Sequence, residues 1–149
     1  MIRKLSLVFM ALFAITLVSC SSKDDEKTIN YPKTYGIVEV LSGERTDDGI
    51  LLTLETDGFN ATTPIKVEVT IKDGTIIKYE VIEHNESTNW GKTLIDEGNL
   101  AQAFIDHSGS LNSLDLEDYL DSTASATITA EALLDIALAA LQHYTDDYK

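Results

Sequence analysis

The sequence predicts an α+β domain, with N-terminal antiparallel strands that include a hairpin at 65–82, packed with two helices at about 94–107 and 129–144. Three observations predict it. Ile65, Val67, Val69 and Ile71 alternate with Lys66, Glu68, Thr70 and Lys72, a period of two with one apolar face. Thr129 to Tyr144 is rich in Ala and Leu, with Leu133, Leu134, Ile136, Ala137, Leu138, Ala140 and Leu141 apolar. Strand patterns all precede helix patterns, which separates this order from an alternating α/β chain.

In chain order, residues 31–41 read as a first strand and Arg45 to Gly49 as a turn. Ile50 to Thr56 reads as a second strand, closed by Asp57-Gly58. The hairpin follows, turning at Asp73-Gly74 and returning over Thr75 to Ile82. A plain two-residue turn would set Val69 opposite Lys78 and bring charge onto the buried face. A three-residue loop, Lys72 to Gly74, sets Val69 opposite Ile77, Val67 opposite Tyr79 and Ile65 opposite Val81. The expected turn is therefore type I with Gly74 left-handed. Residues 83–92 are polar and turn-like. Leu94 to His107 carries Leu94, Ala101, Phe104 and Ile105 at helical spacing and reads as one helix, with Gly98-Asn99 as its weak point. Thr129 is the expected N-cap of the last helix, and Thr145 to Lys149 its fraying tail.

The N-terminus has a different character. Arg3 and Lys4 precede an apolar run from Leu5 to Val18, broken only by Ser6 and Thr16. That run is about 14 residues, short of the roughly 20 that span a bilayer as a helix, and has the form of a secretory signal peptide. It ends at Leu17-Val18-Ser19-Cys20, which resembles the lipobox of bacterial lipoproteins. The resemblance implies cleavage before Cys20, a diacylglyceryl group on its thiol, and a place on the extracytoplasmic face of the cell membrane. The chain then divides into a signal peptide at 1–19, a lipidated cysteine and polar tether at 20–30, and one domain at 31–149. Loss of residues 1–19 removes two basic residues and no acid, taking the net charge from −14 to −16. So acidic a chain is unsuited to nucleic acid, and its membrane contact rests on the lipid. Cys20 is the only cysteine, which excludes an internal disulfide and a cysteine-based metal site. His84, His107 and His143 have no ligand spacing, so no metal site is expected.

Asp121-Ser-Thr-Ala-Ser-Ala-Thr-Ile-Thr129 consists almost wholly of small and hydroxylated side chains. A capping segment with surplus hydroxyls is one reading. Position suggests another. Thr127 falls just ahead of the expected helix N-terminus, where amide dipoles favour a phosphate, and small neighbours leave room for a bulky group. No Lys or Arg lies between Lys92 and Lys149, so a free phosphate would have dipoles alone to hold it. A covalent link through a hydroxyl removes that difficulty.

This segment resembles the flavinylation motif of the FMN-binding domain family, which includes the C and G subunits of sodium-pumping quinone reductase and ferredoxin-linked complexes. Asp121, Ser125, Ala126 and Thr127 match the motif, and Ala124 stands where a hydroxyl is usual. Lys66 to His84 resembles the family's hairpin, and His84-Asn-Glu-Ser-Thr88 its following His-x-Glu-Thr segment, with Asn89-Trp90-Gly91 in place of Pro-Gly. The resemblance implies FMN joined by a phosphodiester to Thr127 by a separate flavin transferase, with Ser125, Ala126, Asp121, Glu86 and Thr88 around it. It implies an electron-transfer module, not an enzyme with its own substrate pocket, served by a membrane redox complex or quinone-linked donor. The competing expectation is a non-redox surface or envelope lipoprotein that binds through the same fold without flavin. Glu86 and Thr88 serve equally well as turn-formers, and Trp90 as a packing residue.

Overall fold

The computed structural model describes residues 27–87, 90–120 and 124–149, with the backbone alone at Ala124 and Ser125. Cys20 and the signal segment, Thr88 and Asp121 therefore lie outside the described residues. Five strands form one antiparallel sheet in chain order: β1 (Lys33–Tyr35), β2 (Val38–Thr46), β3 (Gly49–Thr56), β4 (Ile65–Lys72) and β5 (Thr75–Glu83). Among the described residues three helices follow: α1 (Gly91–Glu97), α2 (Asn99–Asp106) and α3 (Ala124–Asp147), with two short 3-10 turns between α2 and α3. The order of strands then helices is the α+β arrangement expected from the sequence.

The core lies between one sheet face and the helices. Val40, Leu52, Leu54, Ile65, Val67, Val69, Ile71 and Ile76 are fully buried on that face. Each large aliphatic side chain so removed from water stabilises the fold by about 1.5–3 kcal/mol. α3 crosses β2, β3 and β4, while α2 packs on β5. Buried Ala130, Ala137 and Ala140 give α3 a small-residue face that lets it lie close to the sheet. Tyr79 bridges the layers. Its ring meets Phe104 edge-on at 5.1 Å, and its hydroxyl donates to the Leu133 carbonyl at 2.7 Å.

Several boundaries differ from the sequence reading. The expected first strand is two, β1 and β2, folded back on each other across Gly36-Ile37, with Tyr35 paired to Val38. The β4–β5 register also differs. The loop has two residues, Asp73 and Gly74, both at positive φ (52° and 80°), and pairs Lys72 with Thr75. Such a type I′ turn matches the strand twist, and Asp tolerates the left-handed conformation. Ile77 then bulges out of the ladder, so Val69 faces Tyr79 and Val67 faces Val81. The apolar face is continuous as expected, but a bulge achieves it instead of a longer loop. A second shift leaves Ile82 unpaired, and both unpaired isoleucines are exposed. The helix expected over 94–107 is split by Gly98, whose φ of 69° ends α1.

The largest difference is in α3, which starts five residues before the expected boundary and continues through the expected frayed tail. The tail is held by side chains. Lys27 and Lys33 pair with Asp147, and the Tyr148 hydroxyl bonds that of Tyr31 at 2.9 Å.

Candidate functional site

Because α3 starts at Ala124, Thr127 lies within its first turn and not ahead of it. The turn stands at the positive end of the helix dipole, as expected of the segment. Ala126 is buried, Thr127 half-buried and Ile128 exposed. Ser125 contributes its backbone to the same turn. Thr129 is not an N-cap. It is fully buried one helical step further in.

Ala126 forms part of the wall of a cleft of about 630 Å³, enclosed by α1, α2, the second 3-10 turn and the start of α3. That is within the range of about 300–1,000 Å³ typical of small-molecule sites. Leu94, Ala103, Tyr119 and Leu120 supply apolar wall, and Trp90 stands at its edge, 42 % exposed. Thr93, Asn99 and Gln102 supply neutral hydrogen-bonding groups. The charged lining residues are Glu97, Asp106 and Asp118, all acidic. A planar ring system fits a cleft with an indole and a phenol on its walls. Among the described lining residues there is no cation to meet a free phosphate.

Glu86 is brought to α3, but not to the cleft wall. It is 6 % exposed, and its Oε2 accepts a short hydrogen bond from the Thr129 hydroxyl. Its Oε1 accepts from the Asn60 backbone N–H at 3.1 Å. Two glycines make the space. A Cβ on Gly58 would lie 2.5 Å from Oε1, and one on Gly91 2.7 Å from both Oε2 and the Thr129 hydroxyl. Asn60 also donates through Nδ2 to the Asn85 carbonyl at 2.8 Å, tying the β3–β4 loop to the segment that carries Glu86. His84 Nδ1 accepts from the Glu86 N–H at 3.1 Å. The sequence reading placed Glu86 near the site but missed Thr129 as its partner, which stands 43 residues away.

A second polar constellation lies at the other end of α3, and the sequence reading missed it. His143 is fully buried. Its Nδ1 lies 2.9 Å from Asp147 Oδ2, and its Nε2 lies 3.1 Å from the Tyr31 hydroxyl. A carboxylate only accepts, so Nδ1 donates to Asp147 and Nε2 accepts from Tyr31. Burial lowers the His143 pKa. Burial pushes the Asp147 carboxyl up, but the Lys27 and Lys33 ammonium groups outweigh it and hold its pKa at about 2. The visible signal was Tyr31, Tyr35 and Tyr148 flanking the domain, polar-tipped aromatics that seek partners when buried.

No curated protein and no solved structure matches the chain. The sequence model of the FMN-binding domain matches residues 58–142, from the β3–β4 loop almost to the end of α3. That is 85 of 149 residues and takes in Glu86, the cleft and Thr127, so the chain belongs to the FMN-binding domain family.

Proposed function

We propose that this protein is an extracytoplasmic electron-transfer module that carries FMN covalently on Thr127 and is held at the membrane by a lipid on Cys20. The observation that carries the reading is local. The half-buried Thr127 directly follows Ala126, which walls a flavin-sized cleft with aromatic sides and acidic charge.

Attachment requires Thr127 Oγ to form a bond to the FMN phosphorus of FAD. The pyrophosphate P–O–P bond breaks, AMP leaves, and the Thr127 proton is lost to solvent. Nothing is oxidised or reduced in that exchange, and the flavin transferase supplies the divalent metal. Bound there, FMN supplies the one- or two-electron chemistry. The chain's own part is to hold the attachment point, exclude water with Leu94, Tyr119 and Leu120, and offer neutral hydrogen bonds from Thr93, Asn99 and Gln102. The basic start, short apolar run and Cys20 support the lipid anchor and the compartment. A membrane redox complex or quinone-linked donor suits that location.

Intact mass after co-expression with a flavin transferase tests the reading. The full chain gains the mass of FMN less water, and Thr127→Ala does not. Unmodified wild-type protein, without flavin fluorescence in a denaturing gel, leaves the non-redox lipoprotein module in its place. A diacylglyceryl increment on the same mass spectrum, lost in Cys20→Ser, tests the anchor.

A further inference from the structure

We infer that the Glu86 carboxylate, acting through Thr129, is the positioning residue that sets where a group carried on Thr127 lies. The inference rests on the flavin reading above and goes beyond it, because Glu86 does not line the cleft.

The geometry is that of a pin through a helix. Thr127 and Thr129 are two residues apart on α3, so they point about 200° apart around its axis. Thr129 faces inward, fully buried, onto Glu86 Oε2. Pinning it fixes the rotation of the turn, and so fixes the direction in which Ala126 faces the cleft and in which the next residue, Thr127, leaves the helix. A helix end otherwise frays. Glu86 is itself immobilised, by the Asn60 N–H on Oε1 and by the close backbones of Gly58 and Gly91.

The chemistry explains why the residue is an acid. Two donors converge on its two oxygens, the Asn60 N–H and the Thr129 hydroxyl. An ionised carboxylate is acceptor-only and satisfies both, whereas a glutamine must turn its NH₂ against one of them. The carboxylate is buried without an ion pair among its described contacts, so these hydrogen bonds hold it there.

The test uses the full chain, flavinylated where it accepts flavin, with Thr129→Val, Thr129→Ser and Glu86→Gln. Four quantities are read: intact mass, visible-region circular dichroism of the flavin, its midpoint potential, and amide exchange of residues 124–130 in the unflavinylated protein. Thr129→Val and Glu86→Gln are expected to gain the FMN mass, lose most of the flavin dichroism and move in potential toward free FMN. Their amides over 124–130 exchange faster than those of wild type, while Thr129→Ser keeps all wild-type signals. Wild-type dichroism, potential and exchange in both variants, with only a lower melting temperature, would overturn the inference. Glu86→Gln preserves volume and is the variant to read should Thr129→Val not fold. A wild-type chain that takes up no flavin sinks the covalent reading instead. The exchange data then stand alone, and unchanged exchange sinks the pin as well.

Discussion

Thr127 and Thr129 share a helix, one half-buried at the surface and one sealed inside. Thr127→Ala should abolish the FMN adduct in the mass spectrum. A Cβ on Gly91 would meet Glu86 and Thr129 at 2.7 Å, and neither is the loose end of a flexible surface chain. Gly91→Ala should cost about 1–3 kcal/mol, as overpacking does, seen as a lower urea midpoint with an unchanged slope. An unshifted midpoint would show that the pocket around Glu86 yields. At this scale the sequence reading had mixed reach. Short motifs drew Thr127, Ala126 and Glu86 out of the sequence, and the structure brings Ala126 to the cleft wall and Glu86 to α3. The Glu86–Thr129 bond was not, because it joins residues 43 apart and depends on two glycines making room.

The ends of α3 show why elements were easier to find than to bound. Periodicity located its middle, but polar Ser, Thr, Asp and Tyr residues at both ends read as cap and fray, and tertiary partners made them helix. At the far end the partners titrate. His143 is faced by Tyr31, Tyr35 and Lys33 from β1 and its lead-in, and by Asp146, Asp147 and Tyr148 from α3 and the residue after it. Its folded pKa lies below the ordinary histidine value of 6.5, so the unfolded chain takes the proton first as pH falls. Stability from neutral, buried His143 is whole above pH 6.5 and is lost below it, toward the folded pKa. Asp147, at about 2 against 3.8, contributes stability that is present above pH 3.8 and lost between there and 2. The urea midpoint should therefore fall in two stages on acidification. His143→Gln should remove the upper stage and keep the lower, and a midpoint flat from pH 7.5 to 5 in wild type would contradict buried neutral histidine. The β5 bulges have the same lesson. Alternation specified which face is apolar, but not that Ile77 and Ile82 would step out of the ladder to keep it so.

Over the whole molecule the charge is uneven. From Thr93 to Tyr148, the stretch that holds nearly all of the helical layer, there are eleven acidic residues and no Lys or Arg. The strands hold five of the eleven basic residues, several of them in ion pairs such as Lys66 with Glu83 and Lys78 with Glu80. The cleft opens among those helices, so a flavin held there as proposed would sit in a field of carboxylates. The chain also enters the domain at the opposite pole, where Lys27 meets Asp147, about 30 Å along α3 from Thr127 at 1.5 Å per residue. An anchor on Cys20, as proposed, would join the domain through Lys27 at the Asp147 end of α3, away from the cleft-bearing end. The field makes a prediction about rate. Reduction of the flavinylated chain by an anionic reductant such as dithionite is an encounter of like charges. The Debye length shrinks from about 30 Å at about 0.01 M salt to about 10 Å at about 0.1 M, so the repulsion is largely screened over that interval. The second-order rate followed by stopped flow should rise several-fold across it, and a cationic reductant of similar potential should slow instead. Equal salt dependence for both reductants would place the flavin away from the acidic cleft, on a part of the surface where the strands' lysines balance the field.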